Sequence, residues 1–313
     1  MNRFLALKKK PSPLITVLGY FDGVHLGHRS LLAAAEKLRK EYGGRIAVWT
    51  FDALPGKDIL TPSSLRAGWL LQYGADLVIF DSFERVKNMN PGRFTAEILR
   101  ENLGSLACVC GYNYHFGSGG AADAAELERL CRENGILCIT AGEIKGYAEG
   151  KSVTVCSTLI RRLVSEGKLA DAYSLLGHHF AACGEVVHGR QFGRTAGMPT
   201  INQLPPHNGI MPPDGVYATY CMVEGGYYPS VTNIGCRPTF FGNGEKISET
   251  HIIGYSGNLY GKNIPVGYIR RIRGEKKFDS AEELVREVER NIITAKKCFD
   301  AEQDKLCLPL LVK

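Results

Sequence analysis

Two imidazoles, His25 and His28, stand three residues apart in the run Gly19-Tyr-Phe-Asp-Gly-Val-His-Leu-Gly-His28. At the start of a helix that spacing turns both side chains toward one patch. The first backbone N–H groups and the positive end of the helix dipole face the same patch. Gly19, Gly23 and Gly27 allow a ligand close to the main chain. Such a construction suits a phosphate chain. A single buried histidine at a strand–helix turn is the plainer reading, and it accounts less well for a pair.

Further along, Cys156-Ser157-Thr158-Leu-Ile-Arg161 offers two hydroxyls near a helix start. They can cap the helix or hold a phosphate oxygen. Arg161, one turn on, presents a planar fork suited to a pyrophosphate. Thr200 and Asn202 fall on one side of an extended segment. A hydroxyl and an amide oxygen are hard donors of the kind that suit Mg²⁺ bridging phosphates. Between Ser248 and Tyr255 the two-residue period puts Glu249 and His251 on one face. A carboxylate there can take the proton of a hydroxyl attacking a phosphate, or can be a solvated strand residue. Gly189 to Gly193, followed by Arg194, reads as a flexible loop able to close over a nucleotide.

The elements that must position these residues come in two textures. From 14 to 140, apolar runs at 14–19, 45–51, 76–80, 106–110 and 136–140 alternate with helical patterns at 28–42, 64–73, 93–102 and 121–134. That alternation predicts a parallel sheet with helices on both faces. Ligands of such sheets sit beyond the carboxyl ends of the strands, where His25, His28 and the stretch 113–120 fall. Residues 141–152 read as a loop, and 154–176 as one or two helices ending at Gly177. After about 181, short β-rich runs at 184–188, 215–223, 227–234, 248–255 and 264–273 predict an antiparallel barrel or sandwich. Glu224-Gly-Gly226 is a hairpin turn between two of them, and Ser280 with Glu283 has the spacing of a capping box for a closing helix. Two domains follow, 1–180 and 181–313.

Composition agrees. A chain of 313 residues with 44% hydrophobic and 22% charged residues can bury two cores. No apolar run reaches the length of a membrane span. Lys8-Lys-Lys10 is followed by prolines at 11 and 13, not by the apolar stretch of a signal peptide. The ten cysteines include no Cys-x-x-Cys pair, and a cytosolic chain with reduced thiols is expected. Cys108 and Cys110 share one face of a strand; they read as small buried apolar residues first and as metal ligands second. The net charge of +6 fits anionic small molecules such as nucleotides. No stripe of Lys/Arg interleaved with aromatics points to a nucleic acid, and nothing sets an oligomeric state.

The His25/His28 segment and Ser157-Thr-Leu-Ile-Arg161 resemble the nucleotidylyltransferase superfamily, and the chain from about 14 to 299 resembles bacterial bifunctional riboflavin kinase/FAD synthetases. Gly184-Glu-Val-Val-His-Gly189, Gly197-Met-Pro-Thr-Ile-Asn202, Asn233-Ile-Gly-Cys-Arg-Pro-Thr-Phe240, Glu249-Thr-His251 and Ile272-Arg-Gly-Glu-Lys-Lys-Phe278 carry the kinase side of the likeness. The resemblance implies a Rossmann-like nucleotidylyltransferase domain followed by an antiparallel β-barrel kinase domain with a C-terminal helix. It implies ATP and Mg²⁺ as co-substrate and metal, with riboflavin, FMN and FAD as substrates or products. In the first domain Gly19, Phe21, His25 and His28 would contact the triphosphate. Ser157, Thr158 and Arg161 would hold pyrophosphate, and Asn113 would lie beside nucleotide and flavin. In the second, Gly189, Gly193 and Arg194 would contact ATP, Thr200 and Asn202 the metal, and Arg273 the flavin end. Glu249 would be the base toward the ribityl 5′-hydroxyl. The chain departs from the family pattern at Ala53 and Leu54, Gly120, Ala122-Asp123, Cys156, Leu159, Lys168 and, mildly, Ile201. These replacements allow a second reading, a kinase whose N-terminal domain is reduced to a nucleotide- or flavin-binding regulatory module.

Overall fold

The computed structural model describes residues 13–188, 198–205, 208–237 and 245–311. Its contacts divide the chain into two compact units. The first combines the described part of Met1–Lys57 with Arg66–Lys145; the second combines Asp58–Leu65 with the described part of Gly146–Lys313.

The first unit is built on a five-stranded parallel sheet, ordered β3-β2-β1-β4-β5. The strands are β1 (Leu14–Leu18), β2 (Arg45–Phe51), β3 (Leu77–Asp81), β4 (Ser105–Gly111) and β5 (Leu137–Ala141). Central β1 is buried at every position, as a parallel strand covered on both faces requires. Helix α1 (Leu26–Tyr42) turns Leu31, Leu32, Ala35 and Leu38 inward, the face its periodicity predicts. It begins two residues before the predicted 28, because His25 itself caps it. Helix α2 (Ser63–Gln72) follows β2. Helix α3 (Phe94–Asn102) winds as a π-type helix and closes with Leu103 N–H on the Ile98 carbonyl. Helix α4 (Ala124–Glu133) is capped by Asp123, whose side chain accepts from Glu126 N–H at 2.9 Å.

The second unit contains a closed barrel of six strands, ordered β10-β11-β12-β9-β8-β13, with every described pairing antiparallel. Its strands are β8 (Phe180–Val187), β9 (Ile201–Gln203), β10 (Gly215–Val223), β11 (Gly226–Arg237), β12 (Glu245–Ile252) and β13 (Asn263–Arg273). Between barrel and sandwich, the alternatives left by strand spacing, closure decides for the barrel. The hairpin from β10 to β11 turns through Glu224 and Gly225, both at positive φ. Gly267 is required where it stands: a Cβ would sit 2.4 Å from the Tyr220 ring that crosses it. Thr219, Ser230, Thr232 and Thr250 form a fully buried hydroxyl chain with links of 2.8–2.9 Å, so their polar atoms are satisfied inside the barrel.

Three features depart from the sequence reading. A two-stranded hairpin of β6 (Lys145–Ala148) and β7 (Lys151–Thr154) occupies much of the stretch 141–152, read as a loop, and runs on to 154, read as the start of a helix. The short strand β9 lies among the barrel strands where only an extended segment was expected, because three residues carry no readable alternation. Helices α5 (Ser157–Ser165) and α6 (Leu169–Leu176) pack on each other, and α6 packs on β8 and β13, so both group with the barrel. The change of texture at 181 reports strand content and not this packing. The closing helix α7 (Ala281–Ala301) begins as its capping box predicts, with Ser280 Oγ accepting from Glu283 N–H at 3.1 Å, while the Glu283 carboxylate accepts from Asp279 N–H.

Candidate functional site

In the first unit the chain leaves β1 at Leu18 and reverses into α1 within seven residues. The turn holds Phe21 and Val24 at positive φ, a conformation side chains rarely adopt. Such strain is concentrated at functional loops. The Phe21 ring folds over Gly19, so an added Cβ would sit 3.1 Å from it and the ring would have to give way slightly. His25 Nδ1 accepts from His28 N–H at 3.3 Å, and the two imidazoles stack with ring centroids 3.6 Å apart. The Phe21 ring lies 5.1 Å from that of His28. Burial, then His25, then Arg66 push the His28 imidazole well below the usual histidine range. His28 is therefore neutral near pH 7. Its Nδ1 is sealed from solvent and has no protein partner among the described residues.

Arg66 on α2 holds this loop, and the sequence reading passed it over. The residue is 0% exposed. Its guanidinium donates to the carbonyls of Tyr20 (3.2 Å), Phe51 (2.6 Å) and Asp52 (2.8 Å), and it lies over the Tyr20 and Phe80 rings. Thr50 Oγ1 donates to the same Tyr20 carbonyl at 2.9 Å. One buried cation thus ties the His25/His28 turn to the carboxyl end of β2. Its only trace in the sequence is an arginine among Leu65, Ala67, Trp69 and Leu70. Asn113 is exposed in the turn after β4, and its carbonyl is 3.0 Å from His115 Nδ1. Gly120, one of the departures from the family pattern, sits at φ 70°, so a side chain there would be strained. Asp123 of the Ala-Asp replacement is engaged as the cap of α4.

Ser157, Thr158 and Arg161 belong to the second unit. Cys156 is the N-cap of α5 and makes no side-chain cap bond, so Ser157 and Thr158 occupy the first helical positions. Lys168, one of the departures from the family pattern, is exposed and pairs with Glu149 at 2.6 Å and Glu166 at 2.7 Å. Arg162 pairs with the same two carboxylates. Hydrogen bonds from Arg162 and then Lys168 hold the Glu149 carboxyl down at about 2.

Two cavities open on the barrel among the described residues. One, of about 630 Å³, is lined by Thr200, Asn233, Glu249, His251 and Arg273, with an apolar wall from β10, β11 and α7 that includes Val216 and Val288. The other, of about 510 Å³, is lined by Thr200 and Asn202 together with Val186, Tyr255, Leu259 and Tyr260. Thr200 lines both. Strand pairing sets Glu249 opposite Asn202 on one side and opposite Asn233 on the other. Asn202 is 6% exposed, and its Oδ1 has no protein partner among the described residues.

Two neighbours fix this frame. Buried Gln203 donates to the carbonyls of Gly184 (2.7 Å) and Ile264 (2.8 Å), seating β9 against β8 and β13. His251 Nδ1 is 2.9 Å from the Pro199 carbonyl, which makes that nitrogen the protonated one and anchors the residue before Thr200. Arg273 pairs with Glu287 of α7 at 3.4 Å and lies over the Phe278 ring. Gly189, Gly193 and Arg194 lie outside the described residues, as do Gly197 and the segment Pro238-Thr-Phe240.

A family model described as FAD synthetase matches residues 7–158, and one described as riboflavin kinase matches 176–299. The bifunctional riboflavin kinase/FMN adenylyltransferase of Escherichia coli (strain K12) is 33% identical over 295 residues, spanning 91% of this chain and 92% of that one. Its counterpart in Bacillus subtilis (strain 168) is 30% identical over 298 residues, with 91% and 92% covered. A crystal structure described as a macrolide-efflux protein from Streptococcus pneumoniae is similar with a TM-score of 0.77 at 28% identity, over 92% of this chain and 95% of that one. Among the described residues no helix is long and apolar enough to cross a membrane.

Proposed function

The chain belongs to the bifunctional riboflavin kinase/FMN adenylyltransferase family, and we propose that its barrel phosphorylates riboflavin to FMN while its N-terminal domain adenylylates FMN to FAD. It carries both a riboflavin kinase and an FAD synthetase domain. The functional division we assign is 1–180 and 181–313, with both reactions in the cytoplasm; the described cysteines, all free, support that compartment.

One observation carries the kinase assignment: two cavities meet at Thr200, with Glu249 in the first and Asn202 in the second. The apolar wall of the first cavity fits a flavin ring, with Arg273 near its end. The second cavity takes ATP, with Gly189, Gly193 and Arg194 as its loop contacts. Glu249 accepts the proton of the ribityl 5′-hydroxyl as that oxygen attacks the γ-phosphate and ADP departs. Thr200 and Asn202 would hold Mg²⁺, since the orphaned, buried Asn202 Oδ1 is a hard oxygen donor in need of a partner. That ion supplies neutralisation of phosphate charge.

In the adenylyl transfer, the FMN phosphate attacks the α-phosphate of ATP and pyrophosphate leaves. Gly19, Phe21, His25 and His28 cradle the triphosphate, Ser157, Thr158 and Arg161 hold the departing pyrophosphate, and Asn113 lies beside the nucleotide and flavin. The neutral, half-buried His28 supports this role: it is poised to gain a proton or donate a hydrogen bond once phosphate charge arrives.

Chromatography of riboflavin, FMN, FAD, ADP and pyrophosphate after incubation with MgATP tests both halves. Riboflavin should yield FMN and ADP, and FMN should yield FAD and pyrophosphate. Folded protein that leaves riboflavin unchanged overturns the kinase assignment. Failure to convert FMN reduces the N-terminal domain to a binding module.

A further inference from the structure

We propose that Cys108, Cys131 and Cys138 form a buried site for a soft d¹⁰ cation, Zn²⁺ or Cu⁺, inside the first unit. Their three sulfurs lie within 4.8 Å of one another. Among the described residues no other group of three His, Cys, Asp or Glu side chains converges in this way. The convergence is set by the fold. Cys108 on β4 is directly opposite Cys138 on β5, so the two thiols share a sheet face. Cys131 comes down onto that face from α4, whose buried side is Ala124, Leu127, Leu130 and Cys131. Cys110, two residues along β4, points the same way, with its sulfur 3.8 Å from Thr140 Oγ1.

The donor set selects the ligand class. Thiolates favour soft cations, and a metal–sulfur bond of ~2.3 Å spaces the sulfurs of a trigonal or tetrahedral site ~3.8–4.0 Å apart. Little movement separates that geometry from the one present. Each coordinating thiol gives its proton to solvent as its sulfur takes the metal. Three thiols binding Zn²⁺ thus release three protons and leave one net negative charge. Cys110 is the nearest candidate for a fourth ligand. Cys138, 9% exposed against 0% for Cys108 and Cys131, marks the way in. The metal would join β4, β5 and α4 just beneath the turn that carries Asn113, three residues beyond Cys110.

The full-length protein, reduced and stripped with a chelator, should be desalted after exposure to Zn²⁺ or to reductant-buffered Cu⁺ and its metal content measured. About one equivalent of either ion per chain is expected to stay bound. Cys131→Ala, which keeps a good helix former at that position, should retain under about a tenth of that. Cys183→Ala, which removes a buried barrel cysteine, should retain all of it. Co²⁺ gives a readout free of any variant: a sulfur-to-cobalt charge-transfer band must appear on loading. Retention of neither Zn²⁺ nor Cu⁺, equal retention in Cys131→Ala, or Co²⁺ uptake without that band overturns the site.

Discussion

The barrel and the α/β unit hold their proposed phosphate-binding residues in opposite ways. In the barrel, Asn233, Glu249 and Asn202 sit in register across three hydrogen-bonded strands, and Gln203 and His251 lock the neighbouring backbone. In the α/β unit, His25 and His28 ride on a turn of positive φ that one buried cation, Arg66, ties back to β2. The residues expected to hold pyrophosphate belong to the other unit. A ladder fixes spacing through many cooperative bonds. A turn held by a few side-chain contacts fixes it only as firmly as those contacts. The kinase machinery should therefore tolerate everything except loss of its reacting groups, whereas the adenylyltransferase machinery should also be sensitive to its tethers.

The largest effect tests the ladder. Glu249→Gln should lower riboflavin phosphorylation by roughly a thousandfold, the scale of a positioned base, and leave FMN adenylylation unchanged. A parallel loss of both, read in one chromatographic assay, would mean the two sites are not separable as drawn. His28→Ala should cost roughly a hundredfold in FAD formation, as removal of one charge-stabilising donor does, with FMN formation intact. Arg66→Met should lower FAD formation by roughly tenfold and also destabilise the fold, since the Phe51 and Asp52 carbonyls lose this donor at about 1 kcal/mol or more each while Tyr20 keeps only Thr50 Oγ1. An unchanged FAD rate in folded Arg66→Met would show that the turn needs no tether.

Two smaller effects sharpen the contrast. His179, in the second unit, is held down at about 4 chiefly by burial. Its neutral form is the one that folds. Above pH 6.5 its contribution is complete; below it the unfolded chain takes up a proton that the folded chain refuses. Stability should thus fall by about 2 kcal/mol between pH 7 and pH 5, and His179→Gln should flatten that slope in denaturant titrations. MgATP should not restore this loss, because His179 faces no proposed phosphate. Smallest of all, Lys168→Ala should alter FAD formation by less than about twofold, since exposed ion pairs contribute little.

Legibility followed locality. The α1 face, the Ser280 cap and the Glu224-Gly225 turn are short-range patterns, and each is where its residues predict. The paired imidazoles and the Glu249/His251 alternation are equally local. Arg66 was not legible, because nothing near it in the chain says that three carbonyls converge on it. The β6–β7 hairpin was hidden by its glycines, and the role of Lys168 by partners up to nineteen residues away.

By itself the sequence determined the two textures, the alternation that demands a parallel sheet, and the residue types able to handle phosphate. These depend on side-chain periodicity and local backbone preference, which act within a few residues. Only the tertiary structure decided that the β-rich half closes into a barrel, that Thr200 stands between two cavities, and that Cys108, Cys131 and Cys138 meet. Those outcomes depend on strand register and on which helix covers which face. Register is a cooperative property of strands distant in the chain, so no single segment encodes it.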